Sequence, residues 1–99
     1  ADSTVLARRT LEEMWRPAVR TGAALPELAA IGLGFFSLEH EGRRIVGHTG
    51  DQAGYRSYVY FDPAASTGVI LVFNTTNDNG VGDPEMAALS REALTALRR

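Results

Sequence analysis

Apolar and polar positions in the middle of the chain follow the pattern of an antiparallel β-sheet. Residues 33–50 predict a β-hairpin, because two strand-like runs flank Glu41-Gly42, a pair that is typical of a tight turn. Residues 54–62 predict the next strand, since they are rich in aromatic and β-branched types. After a further turn, residues 69–73 are continuously apolar, which predicts a central strand that is covered on both faces.

Apolar residues recur near helical spacing at both ends of the chain. Residues 1–17 predict an N-terminal helix, which Ser3 or Thr4 can cap and which Pro17 ends. Residues 83–85 read Asp-Pro-Glu, which is typical of the start of a second helix. This C-terminal helix is expected to pack on the sheet through an apolar stripe of Met86, Leu89, Ala93, Leu94 and Leu97.

Residues 17–32 connect the first helix to the sheet and are rich in Pro, Gly and Ala. They predict a loop with a short helical turn over residues 26–31, with Pro26 in its first position. Successive strands joined by short turns predict an antiparallel sheet of about four strands. With an N-terminal and a C-terminal helix packed on that sheet, the predicted fold class is α+β.

Composition narrows the class of protein. The 99 residues suffice for one small domain, and a net charge of -2 gives no long-range attraction to nucleic acid or to an anionic membrane. No apolar run approaches the roughly 18 residues of a membrane span. The absence of cysteine excludes disulfides and thiolate sites, and it leaves the cellular compartment unassigned. The chain begins with neither an initiator Met nor a signal sequence, so we expect it to be a segment of a longer protein.

The candidate chemistry is concentrated in Gly47-His48-Thr49-Gly50, at the end of the predicted hairpin. The glycines on either side allow a ligand or another backbone to come close. Histidine brings a group that titrates near neutral pH, threonine brings a hydroxyl, and the following residues bring backbone N–H groups. A histidine at such a position is also compatible with a plain turn residue. Asp51 has two interpretations, a general acid or base and a turn former after the strand.

This stretch and its surroundings resemble the C-terminal part of the serine β-lactamase-like hydrolases. That superfamily includes class C β-lactamases, D-Ala-D-Ala carboxypeptidases, D-aminopeptidases and related esterases. Its third motif is Lys-Thr-Gly, with His in place of Lys in many members, and it corresponds here to His48-Thr49-Gly50. The resemblance covers nearly the whole chain and continues through residues 11–17, 32–35, 54–57, 62–63 and 68–74.

The resemblance implies a role for each motif residue. His48 takes the place of the motif lysine and helps to hold the substrate and the proton network. Thr49 hydrogen-bonds a polar group of the substrate, and Gly50 lets the acyl group lie close to the strand. The backbone N–H of Asp51 forms half of an oxyanion hole. The resemblance also implies three substrate-binding positions, namely Gly54, Tyr55 and Ser57.

Two departures from the family pattern limit what the chain does by itself. It has no lysine, so the nucleophile motif S-x-x-K is absent, and the second motif Y-x-N is absent too. We therefore interpret residues 1–99 as one segment, the C-terminal portion of a larger β-lactamase/transpeptidase-like fold, which hydrolyses nothing alone. The expected partners are a small acyl substrate (ester, peptide or β-lactam) and the remainder of the parent chain, with no cofactor and no metal. Replacing a permanent cation by His48 favours an esterase or peptidase.

Two alternatives stay open. The chain is also compatible with a non-catalytic binding or assembly domain derived from the same fold, which pairs with a partner through an exposed sheet edge. A segment cut from a larger sheet is instead expected to expose apolar surface and to self-associate. A degenerate paralogue whose parent lost the nucleophile is the other alternative. In each case enzyme activity is a question about the parent protein.

Overall fold

The computed structural model describes residues 5–23, 25–75 and 84–96. Two helices and six strands form an α+β fold, with one 3-10 turn between the first two strands. The predicted fold class is confirmed, although the sheet has two strands more than expected. The elements are α1 (Arg8–Trp15), β1 (Val19–Arg20), the 3-10 turn (Pro26–Leu28), β2 (Ala30–Ile31), β3 (Phe36–His40), β4 (Arg43–Gln52), β5 (Tyr55–Asp62), β6 (Thr67–Phe73) and α2 (Pro84–Ala96).

The sheet is an antiparallel meander in which the strands lie in chain order from β1 to β6. The predicted hairpin is confirmed, and Glu41 and Gly42 both adopt the left-handed backbone conformation that a tight hairpin turn requires. The two extra strands, β1 and β2, lie in the predicted loop and are only two residues long. No periodicity can be read from so short a run, so they were missed. The helical turn predicted over residues 26–31 is confirmed only for Pro26–Leu28, which form one 3-10 turn, because Ala30–Ile31 form β2.

One face of the sheet, here called the inner face, packs against α2. Its buried apolar residues are Leu38, Ile45, Tyr58, Tyr60, Ala87 and Leu94. The predicted stripe of α2 is only partly right, because Leu89 is exposed while Ala87 and Ser90 are buried. Two buried tyrosine rings already fill the space above the sheet, so small residues of the helix face them. Leu97 and the capping residue Asp83 lie outside the described residues.

A buried ion pair attaches the 3-10 turn to this inner layer. Glu27 is 1% exposed, and its carboxylate pairs with the guanidinium of Arg91 on α2. The phenol of Tyr60 donates a hydrogen bond to the backbone oxygen of Glu27 at 2.8 Å. Burial raises the pKa of Tyr60 well above its ordinary value of 10, and the neighbouring charges of Glu27 and Tyr58 raise it further. The connection from α1 to β3 is therefore held by contacts that are distant in sequence.

The opposite face of the sheet, the outer face, is covered by α1 at one end. The ring of Trp15 packs edge-on against Phe61, with ring centroids 5.3 Å apart. Val46 lies opposite Phe61 in the register and is fully buried. The helix is shorter than predicted, but it ends as expected just before Pro17. The predicted caps, Ser3 and Thr4, lie outside the described residues.

The position of β6 contradicts the prediction of a central strand covered on both faces. β6 is the last strand of the sheet, and no strand of the described ranges lies beyond it. Its residues alternate between half-buried and exposed, and Ile70 and Val72 are 71% and 67% exposed. The reason is that α1 covers only the Val46 and Phe61 end of the outer face, while α2 covers the inner face. An apolar run on a single strand does not reveal which faces its neighbours cover.

Candidate functional site

The His-Thr-Gly motif lies where β4 runs past the end of its neighbour. β3 pairs with β4 only over Arg43–Gly47, because β3 begins at Phe36. His48 to Gln52 continue for five more residues and pair with β5 alone. Among the residues that the structure describes, no strand pairs with the other side of this segment. The motif therefore occupies an open edge, although β4 is an interior strand along its first half.

The register determines which backbone groups face that open edge. His40 and Arg43 flank a two-residue turn and form a hydrogen-bonded pair, so every second residue of β4 from Arg43 bonds toward β3. By the same alternation, Thr49 and Asp51 direct their backbone N–H and C=O groups to the side where β3 has ended. The N–H of Asp51 is thus oriented as a donor for a group that lies along the edge.

His48 lies on the outer face, where its imidazole is exposed. Its Nδ1 is 2.5 Å from the backbone oxygen of Thr49. Because a carbonyl oxygen only accepts, Nδ1 must carry the hydrogen, which leaves Nε2 of the neutral ring as an acceptor. The ring of Phe36 lies beside it, with ring centroids 5.0 Å apart and planes inclined by 48°. Phe36 was not among the predicted site residues, although the two-residue turn at Glu41-Gly42 places it opposite Gly47, the residue before His48.

Gly50 and Ser57 face each other on the same outer face as His48. A Cβ atom added to Gly50 would lie 2.5 Å from the Ser57 hydroxyl oxygen, so that hydroxyl occupies the space the glycine leaves. Tyr55, near the end of the hairpin, is exposed on this face as well. Gly54 lies in the turn and has a φ of 83°, which strongly favours glycine. Four of the predicted site residues, His48, Gly50, Tyr55 and Ser57, are thus brought onto one surface.

The side chains of Thr49 and Asp51 lie on the inner face instead. Alternation along β4 therefore places His48 on one face of the sheet and Thr49 on the other. Asp51 belongs to β4 itself, so the interpretation of a turn former after the strand is wrong. Its carboxylate pairs with the guanidinium of Arg56 at 3.1 Å, and Arg56 is nearly buried. Only the backbone of Asp51, not its carboxylate, is directed to the open edge.

An apolar band continues the outer face away from His48. The band consists of Val59, Ile70 and Val72, which are 42%, 71% and 67% exposed. Val59 lies between His48 and Ile70 in the register, and Val72 lies beside Ser57. Contiguous exposed apolar side chains are typical of a surface that another protein segment or a ligand covers. The candidate site therefore borders a surface suited to further contacts.

Within ranges 5–23, 25–75 and 84–96, no group of three or more His, Asp or Glu residues is arranged to hold a metal ion. The same residues include no helix that is long and apolar enough to cross a membrane.

Comparison with known proteins gives one match. The family model described as Beta-lactamase matches residues 1–93, which include every candidate site residue. No curated protein and no solved structure matches the chain significantly.

Proposed function

The chain belongs to the β-lactamase family, and from this premise we propose that it forms one wall of the active site of a serine hydrolase. The proposed reaction is acyl transfer from an ester, amide or β-lactam to water through a serine acyl-enzyme. The nucleophilic serine comes from another part of the parent chain, because a sequence without lysine cannot contain S-x-x-K. In this proposal, residues 1–99 are the C-terminal portion of the parent domain and have no activity alone.

The observation that carries this proposal is the open edge of β4 at the motif. An extended acyl substrate can align with that edge as an added strand and pair with the backbone of Thr49 and Asp51. The N–H of Asp51 then donates to the substrate carbonyl oxygen, where negative charge develops during attack. One such donor is half of an oxyanion hole, and the other half is assigned to the rest of the parent.

The proposal assigns His48 to the proton network beside the acyl group. Its Nδ1–H is engaged by the Thr49 carbonyl, so Nε2 accepts a hydrogen bond or a proton from the outer face. Phe36 packs against the ring and limits its rotation. An imidazole lacks the permanent charge of a lysine and holds an anionic substrate group less well, which favours esters or peptides over β-lactams.

The remaining residues on the outer face are proposed to bind the substrate. The Ser57 hydroxyl fills the space beside Gly50 and offers a hydrogen bond there, and rotation of this side chain lets the acyl group lie close to Gly50. Tyr55 contributes an exposed aromatic surface at the end of the hairpin. Thr49 contributes through its backbone at the edge, with its hydroxyl on the inner side of the strand.

The test starts with the reading frame upstream of Ala1. We expect it to encode S-x-x-K followed by Y-x-N. In that longer protein, His48→Ala should lower kcat/KM for an activated ester by about 100-fold or more, since positioned acid–base groups contribute about 10²–10⁴-fold. His40→Ala is the matched control, because His40 lies on the same hairpin but contacts Thr95 of α2. The 99-residue chain alone should show no turnover.

Three results would contradict the proposal: turnover by the purified 99-residue chain, unchanged kinetics in His48→Ala, or equal losses in the two histidine variants. A D-Ala-D-Ala peptide and a chromogenic β-lactam assayed in parallel would define the substrate class. The longer protein without its S-x-x-K serine serves as the blank for contaminating hydrolases.

A second candidate is a non-catalytic binding or assembly domain. It is favoured by the apolar band and by the edge of β6, beside which the described ranges place no further strand. This candidate predicts an intact reading frame that lacks both S-x-x-K and Y-x-N. Size-exclusion chromatography adds a second criterion. A monomer that melts cooperatively supports an independent module, whereas self-association through the band supports a segment that normally contacts the rest of its parent.

A further inference from the structure

We infer that a cleft between α1 and the two turns at the far end of the sheet binds a small organic or inorganic oxyanion. The cleft has a volume of about 700 Å³ and lies between α1, the β3–β4 turn and the β5–β6 turn. A volume of roughly 300–1,000 Å³ is typical of small-molecule sites. This cleft is separate from the His-Thr-Gly edge, since Arg44 at its rim is four residues from His48 along β4, about 13 Å.

The cleft carries an excess of positive charge. Four arginines line it, namely Arg8, Arg16, Arg43 and Arg44, and they are opposed by the carboxylates of Glu12 and Asp62. The chain as a whole has a net charge of -2, so this excess of two positive charges is a local feature. Guanidinium groups form paired hydrogen bonds with carboxylate and phosphate oxygens, which defines the chemical class of the ligand.

Two of the arginines are already engaged by those carboxylates. Arg43 donates to Asp62 at 2.7 Å and is only 20% exposed, so it is fixed in the floor of the cleft. Arg8 pairs with Glu12 along α1 at 3.1 Å. These pairs account for both negative charges of the lining and leave the excess charge with the other two arginines.

Arg16 and Arg44 are the cations that remain for a ligand. Among the described residues, neither forms an ion pair with a carboxylate. Glu39 lies opposite Arg44 in the register, yet no ion pair joins them. Both arginines are exposed and come from different elements, one just after α1 and one on β4. A ligand with two anionic groups can therefore bridge α1 and the sheet.

The walls of the cleft fit a small molecule with an apolar portion. Trp15 lines it beside Pro63 and Ala64, and the guanidinium of Arg8 lies 5.7 Å from the centre of the Trp15 ring. The indole Nε1 of Trp15 and Nε of Arg43 are buried N–H groups without a partner in the described structure. Because both nitrogen atoms are enclosed, neither is open to the cleft, and we assign the ligand contacts to the guanidinium groups of Arg16 and Arg44.

The experiment titrates the 99-residue protein with citrate and with inorganic phosphate at constant ionic strength, and it follows binding by calorimetry and by amide NMR shifts. We expect saturable binding, with shifts confined to α1, the start of β4 and the β5–β6 turn. Arg16→Gln with Arg44→Gln should weaken binding about tenfold or more, since two charge-assisted contacts are lost. Arg9→Gln with Arg20→Gln changes the net charge equally outside the cleft and should leave the affinity unchanged.

Equal weakening in the two double variants would show a nonspecific charge effect and would overturn the proposal. So would the absence of saturation, or shifts located at the His48 edge rather than in the cleft. Preference for citrate over phosphate would identify a polycarboxylate ligand, and the reverse would identify a phosphorylated one. If the variant with both Arg16 and Arg44 replaced does not fold, the location of the NMR shifts in the unmodified protein decides whether the ligand binds in the cleft.

Discussion

Replacing Gly47 by alanine should be among the most destabilising single changes in the sheet. Gly47 lies in β4 between Phe36 of β3 and Tyr60 of β5. A Cβ atom at this position would lie 1.9 Å from the carbonyl oxygen of Val59, and 2.7 Å from both Cα and a ring carbon of Tyr60. Two of these three atoms belong to the backbone of the neighbouring strand, so rotation of a side chain cannot remove the overlap.

The size of the effect follows from that geometry. Ordinary contact begins near 3.4 Å, so β5 would have to move by about 1.5 Å relative to β4. Neighbouring strands are about 4.8 Å apart, and such a shift breaks ladder hydrogen bonds. Overpacking costs about 1–3 kcal/mol when side chains can adjust, and here they cannot. We therefore expect a loss of at least about 3 kcal/mol, out of a free energy of unfolding near 5–15 kcal/mol for a chain of this size.

Gly50→Ala is the matched control, since it makes the same change three residues along the same strand. Its added Cβ would meet only the hydroxyl oxygen of Ser57, at 2.5 Å, and that side chain can rotate. We expect a change in the free energy of unfolding below about 1 kcal/mol. In the longer protein, Gly50→Ala should lower kcat/KM for acyl substrates while the protein stays folded.

Urea unfolding measures the free energy of unfolding of both variants. It is followed by circular dichroism and by the fluorescence of Trp15, the single tryptophan. Gly50→Ala should unfold near the urea midpoint of the unmodified chain, whereas the midpoint of Gly47→Ala should fall by the equivalent of at least about 3 kcal/mol. The reasoning is refuted if Gly47→Ala stays within about 1 kcal/mol of the unmodified chain, or if both variants lose the same stability.

The buried tyrosine and the buried ion pair give two further predictions. The raised pKa of Tyr60 stabilises the fold below pH 10, and that stability is lost as the pH rises further. The melting temperature of Tyr60→Phe should therefore decline less above pH 10 than that of the unmodified chain. Tyr55→Phe removes an exposed tyrosine and should show the same decline as the unmodified chain. Arg91→Ala should cost about 3–5 kcal/mol of unfolding free energy, because the Glu27 carboxylate stays buried without its cation. Adding Glu27→Gln to Arg91→Ala should restore part of that loss, and fully additive losses from these two substitutions would contradict the pairing. Arg9→Ala is the control and should change the free energy of unfolding by about 0.5 kcal/mol or less.

Much of the central sheet was predictable because its signals are local. The Glu41-Gly42 turn determines the register of β3 and β4, and alternation along β4 then separates His48 from Thr49. The order of motifs around His48-Thr49-Gly50 was sufficient to indicate the family that the family model matches. These features depend on neighbouring residues, which a sequence displays directly.

The features that failed or were missed depend on surfaces that meet only in three dimensions. β6 looks like a central strand because its residues are apolar, but its place at the edge depends on which elements stack beside it. The buried ion pair of Glu27 could not be predicted from its Pro-rich loop, because its partner Arg91 is 64 residues away on α2.

The sequence by itself thus determined the hairpins, the alternation of faces along β4 and the family resemblance, since backbone conformation and side-chain direction follow from adjacent residues. Tertiary structure decided that β4 has an open edge at the motif, because β3 ends at Phe36 while β4 continues to Gln52. It also decided that arginines from α1 and β4 line one cleft. Both depend on how far separate elements extend beside one another, and no local pattern specifies that.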